Sequence, residues 1–327
     1  MRPFAFKRVA DTTSAVELVA KNRNARFIAG GTNLIDLMKE SVDRPNELVD
    51  ISRLPLRVVR STATGVAIGA LAKNTDTANH PLIKKEFPLL TQAILAGASP
   101  QIRNMATNGG NLMQRTRCHY FYDLGTPCNK RQSGSGCGAK DGLNRYSAIF
   151  GWSDSCVAVH PSDMCVALAA LDAVVNVQTP DGAERKIKFT DFHRLPGDLP
   201  ELDNNLSHGE LITTIEIPRN NFAANSYYLK VRDRASYAFA LVSVAAALEI
   251  EKGEIKQARI ALGGVAHKPW RCLDAEKMLV GKKPDAAVFR QAAELALKDA
   301  RPLSDNKYKV KMAQRAIAKA LGRAARV

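Results

Sequence analysis

Two short glycine-rich segments carry backbone amides that could bind an anion. The first is Ala29-Gly30-Gly31-Thr32-Asn33-Leu34, and the second is Thr107-Asn108-Gly109-Gly110-Asn111-Leu112. Paired glycines let the backbone adopt positive φ angles and bring its N–H groups close to a negative charge. A helix that begins just after such a turn would add the positive end of its dipole. Two turns of this kind could converge on one pyrophosphate.

The glycine pairs alone leave a simpler interpretation open, in which each pair is only a tight turn. Neither segment matches the Gly-x-Gly-x-x-Gly pattern of Rossmann folds or the Gly-x-x-x-x-Gly-Lys-Ser/Thr phosphate loop. The sequence therefore does not support those two folds. Two similar turns, one of them after an apolar strand, are equally compatible with a dinucleotide site and with plain turns.

Four of the six cysteines form a second candidate site. Cys118, Cys128, Cys137 and Cys156 lie in or at the ends of a polar, glycine-rich segment with little periodicity. Four thiolates can close a zinc site or hold an iron–sulfur cluster, although no gap here is the two-residue gap of zinc ribbons or bacterial ferredoxins. Disulfides and isolated buried thiols are the alternatives. A bound cluster would also account for the order of a long loop with little apolar material.

The two remaining cysteines have simpler interpretations. Cys165 falls on an apolar helical stretch, and Cys272 lies far away in the last part of the chain. Because free cysteine behaves as a small hydrophobic residue, we predict that both are structural core thiols.

Helices and short strands must position these residues in the first two thirds of the chain. A helix is predicted over 14–23, after possible caps at residues 11–13, and a short strand over 26–29 enters the first glycine turn. A helix over 34–39 leaves that turn. The stretch 81–96 has an amphipathic pattern that Pro88 should kink or divide. Further predicted elements are strands over 48–51, 66–68 and 173–177, a helix over 164–171, and a hairpin that turns at 179–182 and continues over 185–189.

A domain boundary is predicted near residues 218–226, where the alternating pattern stops. Beyond it the pattern predicts a helix near 238–248 and strands over 249–251 and 258–262. Helices over 285–298 and 308–321 close the chain. The fold class predicted from these elements is α+β, with about three structural units.

The composition is that of an ordinary globular protein and leaves room for more than one domain. The chain has 327 residues, of which 46% are hydrophobic and 24% are charged. No apolar run follows the charged first residues, so we predict no secretory signal. The longest apolar stretch, 237–248, is too short to span a bilayer, so we predict no membrane insertion.

The net charge of +15 also needs an interpretation. A basic surface can face nucleic acid, an anionic membrane or acidic partner subunits. The positive residues are spread along the chain, with some concentration over 307–326, and no nucleic-acid recognition motif accompanies them. We therefore expect a solvated or partner-facing surface and no nucleic-acid binding.

These motifs together resemble the FAD-binding medium subunit of the xanthine dehydrogenase (molybdenum hydroxylase) family. The resemblance covers essentially the whole chain and runs through 27–34, 101–112, 160–163 and 229–234. The closer resemblance is to the branch of bacterial periplasmic aldehyde oxidoreductases. It rests on residues 114–118, 127–131 and 135–137, within a cysteine-bearing insertion over about 115–157, and on residues 265–271. In that branch, and in the 4-hydroxybenzoyl-CoA reductase type, the insertion holds a [4Fe-4S] cluster.

The resemblance implies two domains. Residues 1–220 would form a two-part FAD-binding domain of the vanillyl-alcohol-oxidase-like (PCMH) type, interrupted by the insertion. Residues 225–327 would form a smaller α/β C-terminal domain of the CO dehydrogenase flavoprotein type.

The resemblance also implies residue roles. The expected FAD-binding residues are Arg26, Phe27, Ile28, Ala29, Gly30, Gly31, Thr32, Asn33, Leu34, Ala106, Thr107, Gly110, Asn111, Gln114, Asp163, Ile212 and Lys230. The segment 27–34 would wrap the pyrophosphate, with residues of the second glycine turn on its other side. Asp163 would bind a ribose or ribityl hydroxyl, and Lys230 would approach the flavin ring. On sequence grounds alone, Asp163 could be a helix N-cap and Lys230 a surface lysine. The four insertion cysteines would ligate the cluster.

The function implied is that of an FAD and [4Fe-4S] electron-transfer subunit of a molybdenum-dependent aldehyde oxidoreductase. Electrons would come from a large molybdenum-cofactor subunit and a small [2Fe-2S] subunit in a heterotrimer, and would leave through FAD to an external acceptor. No catalytic residue is expected on this chain. The alternatives are a 4-hydroxybenzoyl-CoA-reductase-like subunit with the opposite electron flow and a zinc-stapled basic scaffold protein. The expected location is the periplasm, by co-export with a partner that bears a twin-arginine signal, or the cytoplasm.

Overall fold

The computed structural model describes all of residues 1–327. The first elements of the chain form a small parallel sheet. Its elements are β1 (Ala5–Arg8), α1 (Thr12–Lys21), β2 (Ala25–Ile28), α2 (Leu34–Lys39) and β3 (Glu47–Asp50), with strand order β1-β3-β2. The Asp11 carboxylate caps α1 by accepting a hydrogen bond from the Ser14 amide at 2.7 Å. β2 leads directly into the first glycine turn, as the sequence predicts.

An antiparallel five-stranded sheet forms the second layer, with helices packed against it. The elements up to and including the second glycine segment are β4 (Val59–Thr62), β5 (Gly65–Gly69), α3 (Asn74–Asn79), α4 (Pro81–Glu86), α5 (Pro88–Ala96), α6 (Pro100–Met105) and α7 (Asn108–Leu112). The chain breaks between α4 and α5 at Phe87, because Pro88 cannot continue a helix but suits its first position. The predicted division of this helical stretch is therefore confirmed.

The insertion contributes little regular structure. It contains only α8 (His119–Tyr122) and α9 (Gly138–Asp141), and the chain then continues through α10 (Asp163–Ala170), β6 (Val174–Gln178), β7 (Glu184–Lys188), α11 (Phe189–Phe192) and β8 (Leu211–Pro218). The completed sheet has the order β4-β5-β8-β6-β7. Its largest core is shared with the fully buried residues of α10 and with α5.

The C-terminal sheet is antiparallel and is covered on both faces. Its elements are β9 (Ser226–Val231), β10 (Val242–Glu251), β11 (Glu254–Gly263), β12 (Trp270–Arg271), α12 (Leu273–Leu279), α13 (Ala286–Ala296) and α14 (Tyr308–Ala325), with strand order β12-β11-β10-β9. Helices α12, α13 and α14 pack on one face, and α10 packs on the other.

The helix predicted near 238–248 is wrong, because this stretch is the central strand β10. Val242, Val244 and Leu248 face the core beneath α14, whereas Ala245 and Ala247 face the core around α10. A strand that is buried on both faces has a continuous apolar run, which periodicity cannot distinguish from a buried helix.

The C-terminal segment anchors the insertion by hydrogen bonds. The side-chain amide of Asn306 donates to the carbonyl oxygens of Ser147 and Ala148 at 3.1 and 3.2 Å. The Lys309 ammonium donates to the carbonyl oxygens of Ser147 and Gly264 at 2.9 and 2.8 Å. These contacts order a segment that has little core of its own. No helix in the structure is both long and apolar enough to cross a membrane.

Candidate functional site

The two glycine turns lie in direct contact with each other. A side chain at Gly30 would collide with the carbonyl oxygen of Met105, which immediately precedes Ala106 and the second turn. Gly31 has a φ angle of +71°, which favours glycine. Close approach at one position and backbone conformation at the next therefore explain why the first turn needs two glycines.

The turns form one wall of a first cavity of about 400 Å³. Of the predicted FAD-binding residues, those that line it are Arg26, Phe27, Ile28, Ala29, Gly30, Gly31, Thr32, Asn33, Leu34, Thr107, Gly110 and Ile212. Helix α2, which follows the first turn, has only six residues, and α7, which is the second glycine segment itself, has only five. Backbone amides of the turns, more than the expected helix dipoles, are the available anion donors.

Two features of this cavity fit a bound polar ligand. The Nδ2 group of Asn33 is buried without a hydrogen-bond partner, although its Oδ1 atom accepts from the Arg115 amide at 3.1 Å. At Gly110, an added Cβ atom would meet only the Thr107 hydroxyl and would otherwise occupy the cavity. A buried donor without a partner costs free energy unless a ligand supplies the acceptor.

A second cavity of about 520 Å³ contains Asp163. The Asp163 carboxylate accepts a hydrogen bond from the Tyr228 hydroxyl at 2.7 Å and from the Lys230 ammonium at 2.8 Å. The side chains of this ion pair are only 6% and 4% exposed. Lys230 also donates to the carbonyl oxygen of Ala96 at 3.1 Å, so its ammonium is hydrogen-bonded to protein groups. Lys230 lines neither cavity.

Ser162, and not Asp163, is the N-cap of α10. Its hydroxyl accepts from the Cys165 amide at 3.1 Å, whereas Asp163 is already the first helical residue. The interpretation of Asp163 as a cap is therefore wrong, and its carboxylate remains directed to Tyr228 and Lys230.

Three further predicted FAD-binding residues line neither of these two cavities: Ala106, Asn111 and Gln114. The Asn111 Oδ1 atom accepts hydrogen bonds from Gln114 Nε2 at 2.8 Å and from the Ser162 hydroxyl at 2.5 Å. Its Nδ2 group donates to Asn74 at 2.8 Å. This network joins the second glycine turn to the start of α10, and Ala106 packs against Gly30.

The four insertion cysteines surround one small cavity. Cys118, Cys128, Cys137 and Cys156 are all free thiols, so the disulfide alternative finds no support. Cys128 and Cys137 are paired across an isolated β-bridge. Contact with Cys156 lowers the pKa of Cys137 to about 6 and, together with burial, raises that of Cys156.

The spacing of these sulfurs is wider than one metal ion requires. The one compact group, with three ligand atoms within 4.8 Å of one another, is His160, Cys165 and His193, and no three of the insertion cysteines form another. In a tetrahedral zinc site with Zn–S bonds of about 2.3 Å, the sulfurs lie about 3.8 Å apart. The four sulfurs therefore do not form the tetrahedron of a single zinc ion in this structure.

Cys165 and Cys272 are buried, as the sequence predicts for structural thiols. Burial raises the pKa of Cys165 to about 12, so its sulfur is a neutral thiol.

The cysteine-lined cavity and the second cavity have a common wall. Four residues line both: Thr116, Cys118, Tyr120 and Ala158. A group held by Cys118 would therefore lie directly beside a ligand in the Asp163 cavity.

Sequence reasoning missed the ionic contacts that hold the insertion against the first cavity. Asp203 lines that cavity and accepts from Arg115 Nε and from the Lys130 ammonium, each at 2.6 Å. Burial alone would raise the pKa of Asp203, but the charges of Arg115 and Lys130 hold it at about 2. Positions 70 or more residues apart carry no local signal of such pairing.

His267 is a further residue without a predicted role that the structure places at the cysteine cluster. Its Nε2 atom lies 3.2 Å from the Cys156 sulfur, and the side chain is buried. Burial, with a smaller effect of the Lys130 charge, lowers the pKa of His267 to about 3, so the ring is neutral.

Comparison with known families defines the class of protein that this fold and these cavities represent. Residues 2–220 match the model of the FAD binding domain in molybdopterin dehydrogenase, and residues 227–324 match the CO dehydrogenase flavoprotein C-terminal domain. The chain therefore belongs to the family of FAD-binding subunits of molybdenum hydroxylases, and its cofactor is FAD. The α+β, two-domain fold prediction is confirmed.

Individual relatives narrow the class further. The chain is 45% identical over 325 residues, 99% of both chains, to the aldehyde oxidoreductase FAD-binding subunit PaoB of Escherichia coli K12. It is 29% identical to the glyceraldehyde dehydrogenase medium chain of Sulfolobus acidocaldarius, covering 93% of this chain and 90% of that one. A solved structure of reconstituted CO dehydrogenase from Oligotropha carboxidovorans matches with a TM-score of 0.79 and 26% identity, over 100% and 99% of the two chains. The protein is thus the FAD-containing subunit of an oxidoreductase of the aldehyde oxidoreductase and xanthine dehydrogenase family. The individual FAD contacts, among them those of Asp163 and Lys230, stay predictions.

Gly30→Ala should weaken FAD binding, because its methyl group must push the second turn away. We expect a loss of about 1–3 kcal/mol in the free energy of unfolding and FAD binding about ten- to a hundredfold weaker. Flavin fluorescence titration of the apoprotein measures the binding. Gly322→Ala, on α14 and away from both cavities, is the matched control. Wild-type FAD affinity in Gly30→Ala would show that the contact between the turns does not shape the cofactor site.

Asp203→Asn should destabilise the insertion, because the side chain of Lys130 is only 2% exposed and would lose its counter-charge. Urea denaturation at pH 7 should show a loss of about 3 kcal/mol. The wild-type carboxylate contributes this stability above about pH 4, and the contribution disappears as the pH falls through the folded-state pKa of about 2. The difference between the two proteins should therefore narrow on acidification.

Asp154→Asn is the matched control for this measurement. Asp154 pairs with Lys140 at 2.7 Å, but its side chain is 86% exposed. Solvent screens such a pair, so its removal should have little effect. Equal losses of unfolding free energy in Asp203→Asn and Asp154→Asn would contradict the stabilising role of Asp203 in the insertion.

Proposed function

We propose that this chain is an FAD and [4Fe-4S] electron-transfer subunit of a molybdenum-dependent aldehyde oxidoreductase. Bound FAD would exchange electrons singly or in pairs, and the protein would supply its position and electrostatic surroundings. The residues of the first cavity would hold the pyrophosphate, and the Asp163 cavity would receive the flavin end. The [4Fe-4S] cluster would be held by Cys118, Cys128, Cys137 and Cys156.

The main support for this proposal is the common wall of the cysteine-lined cavity and the Asp163 cavity. Four cysteines that span 38 positions of the chain converge on one small cavity. One of them, Cys118, and its neighbours Thr116 and Tyr120 also line the cavity that contains Asp163. Two redox groups in these places would lie side by side, as electron transfer between them requires.

The wide sulfur spacing favours the cluster over the zinc-stapled scaffold. Thiolate ligands and a partly enclosed polar loop suit either metal centre. A single zinc ion, however, requires all four sulfurs about 3.8 Å apart, and no three of them lie within 4.8 Å of one another.

Two relatives support the presence of partner subunits. One is the FAD-binding subunit of an aldehyde oxidoreductase, and the other is the medium chain of a glyceraldehyde dehydrogenase. We infer a heterotrimer in which a large subunit carries the molybdenum cofactor and a small subunit carries [2Fe-2S] clusters. Electrons would pass from these centres to this chain and leave to an external acceptor. A 4-hydroxybenzoyl-CoA-reductase-like direction of flow is the alternative, which the relative potentials of the cluster and FAD would distinguish.

For the location we propose the periplasm, reached by co-export with a partner that bears a twin-arginine signal. Expression with and without the partner genes, followed by cell fractionation, tests this. Recovery of the assembled complex only in the cytoplasm would contradict the periplasmic location and support the cytoplasmic one.

The visible spectrum of the purified full chain tests the proposed cofactors directly. We expect flavin absorption bands on a broad iron–sulfur background, with about four iron ions per FAD. A colourless protein that contains stoichiometric zinc would support the scaffold alternative. A flavin spectrum without iron would show that the chain is an FAD subunit without an iron–sulfur cluster.

Cys137→Ser should lose most of its iron and destabilise the insertion, because a hydroxyl is a poor substitute for a thiolate ligand. FAD on the glycine turns should be partly retained. Iron and flavin contents of the purified variant measure both effects. Cys272→Ala, which changes a buried thiol in the C-terminal core, should keep its iron. Unchanged iron in Cys137→Ser would exclude Cys137 from the ligands.

A further inference from the structure

His267 reaches the cysteine cluster from the other domain of the chain. It lies 111 positions after Cys156, in the connection between β11 and β12, and its Nε2 atom is 3.2 Å from the Cys156 sulfur. No other nitrogen-bearing side chain donates to any of the four sulfurs. The contact therefore makes one of the four positions electrostatically different from the others.

The backbone around His267 is held rigidly. The carbonyl oxygen of Ala266 accepts from the His160 amide at 2.9 Å, and that of Val265 accepts from the Phe150 amide at 3.0 Å. The Lys268 ammonium donates to the Thr190 carbonyl oxygen at 2.8 Å. Trp270 stacks on Phe150 with ring centroids 4.8 Å apart. The imidazole is thus positioned by contacts on both sides along the chain.

The chemistry of the pair determines which nitrogen carries the proton. A sulfur that ligates a metal is a thiolate, which can only accept a hydrogen bond. The facing Nε2 atom must therefore carry a hydrogen. The other nitrogen, Nδ1, is buried without a partner, so no competing contact favours the opposite tautomer.

We propose that His267 is a positioning residue that donates Nε2–H to the Cys156 thiolate and thereby raises the redox potential of the cluster. The inference rests on the proposed [4Fe-4S] site. A hydrogen bond to a ligand sulfur withdraws negative charge from it and stabilises the more negative, reduced state of the cluster. His267 would thus help to set how readily the cluster accepts an electron from, or gives one to, a bound flavin.

Two variants of the full chain separate the hydrogen bond from the bulk of the side chain. His267→Leu removes the donor, whereas His267→Gln keeps a neutral N–H group at a similar distance from the backbone. A redox titration monitored by electron paramagnetic resonance gives the cluster potential, and iron content is measured in parallel. We expect a lower cluster potential in His267→Leu and a potential near the wild-type value in His267→Gln, while the FAD potential serves as an internal reference.

The outcomes distinguish this inference from the proposed function. A wild-type chain without iron would overturn the proposed cluster itself. An unchanged cluster potential in His267→Leu, at full iron content, would overturn only the role of His267. If His267→Leu fails to retain the cluster, a measurement on the wild-type protein tests the hydrogen bond instead. With ¹⁵N-labelled histidine, electron–nuclear double resonance of the reduced cluster should show a histidine nitrogen and an exchangeable proton, and their absence would overturn the hydrogen bond.

Discussion

The carboxylate of Asp203 is the contact on which the arrangement of the two candidate cofactor sites depends. It binds Arg115 at the start of the insertion and Lys130 between the second and third cysteines of the insertion, each at 2.6 Å. Lys130 also donates to the carbonyl oxygen of Pro200 at 2.6 Å, so protein groups replace water around its buried ammonium. Because Asp203 itself lines the first cavity, one carboxylate joins that cavity to the cysteine-bearing loop.

A second buried ion pair, between Asp163 and Lys230, plays the corresponding role at the second cavity. It connects the start of α10 to strand β9 of the C-terminal domain at 2.8 Å. Buried ion pairs add little net stability, since desolvation offsets much of the attraction, but removal of one partner leaves a costly unpaired charge. Such pairs therefore favour one relative placement of the elements they join, and here both pairs lie beside a cavity.

The insertion is ordered mainly by polar contacts. Its own apolar cluster is small and includes Phe121 and Cys128. Arg115, Lys130, Asn306 and Lys309 tie it to neighbouring elements through ion pairs and carbonyl oxygens. A bound cluster would add four further covalent links, and His267 would join the C-terminal domain to one of them. The order of a loop with so little core thus comes from its partners in both domains.

The sequence by itself determined the features that local physics controls. The helix break at Pro88, the Asp11 cap and the strand that enters the Gly30 turn depend on neighbouring residues alone, and the structure shows all three. The resemblance also identified the FAD family from motifs. Strand β10 was predicted as a helix, because burial on both faces removes the alternation that marks a strand.

Only the tertiary structure decided which distant side chains meet. Lys130 with Asp203, and Cys156 with His267, are 73 and 111 positions apart. Nothing in the residues around each one indicates its partner, since the free energy of such a contact exists only when the fold has excluded water from both. The common wall of the cysteine cavity and the Asp163 cavity has the same origin, because it forms only when the insertion folds back against the start of α10.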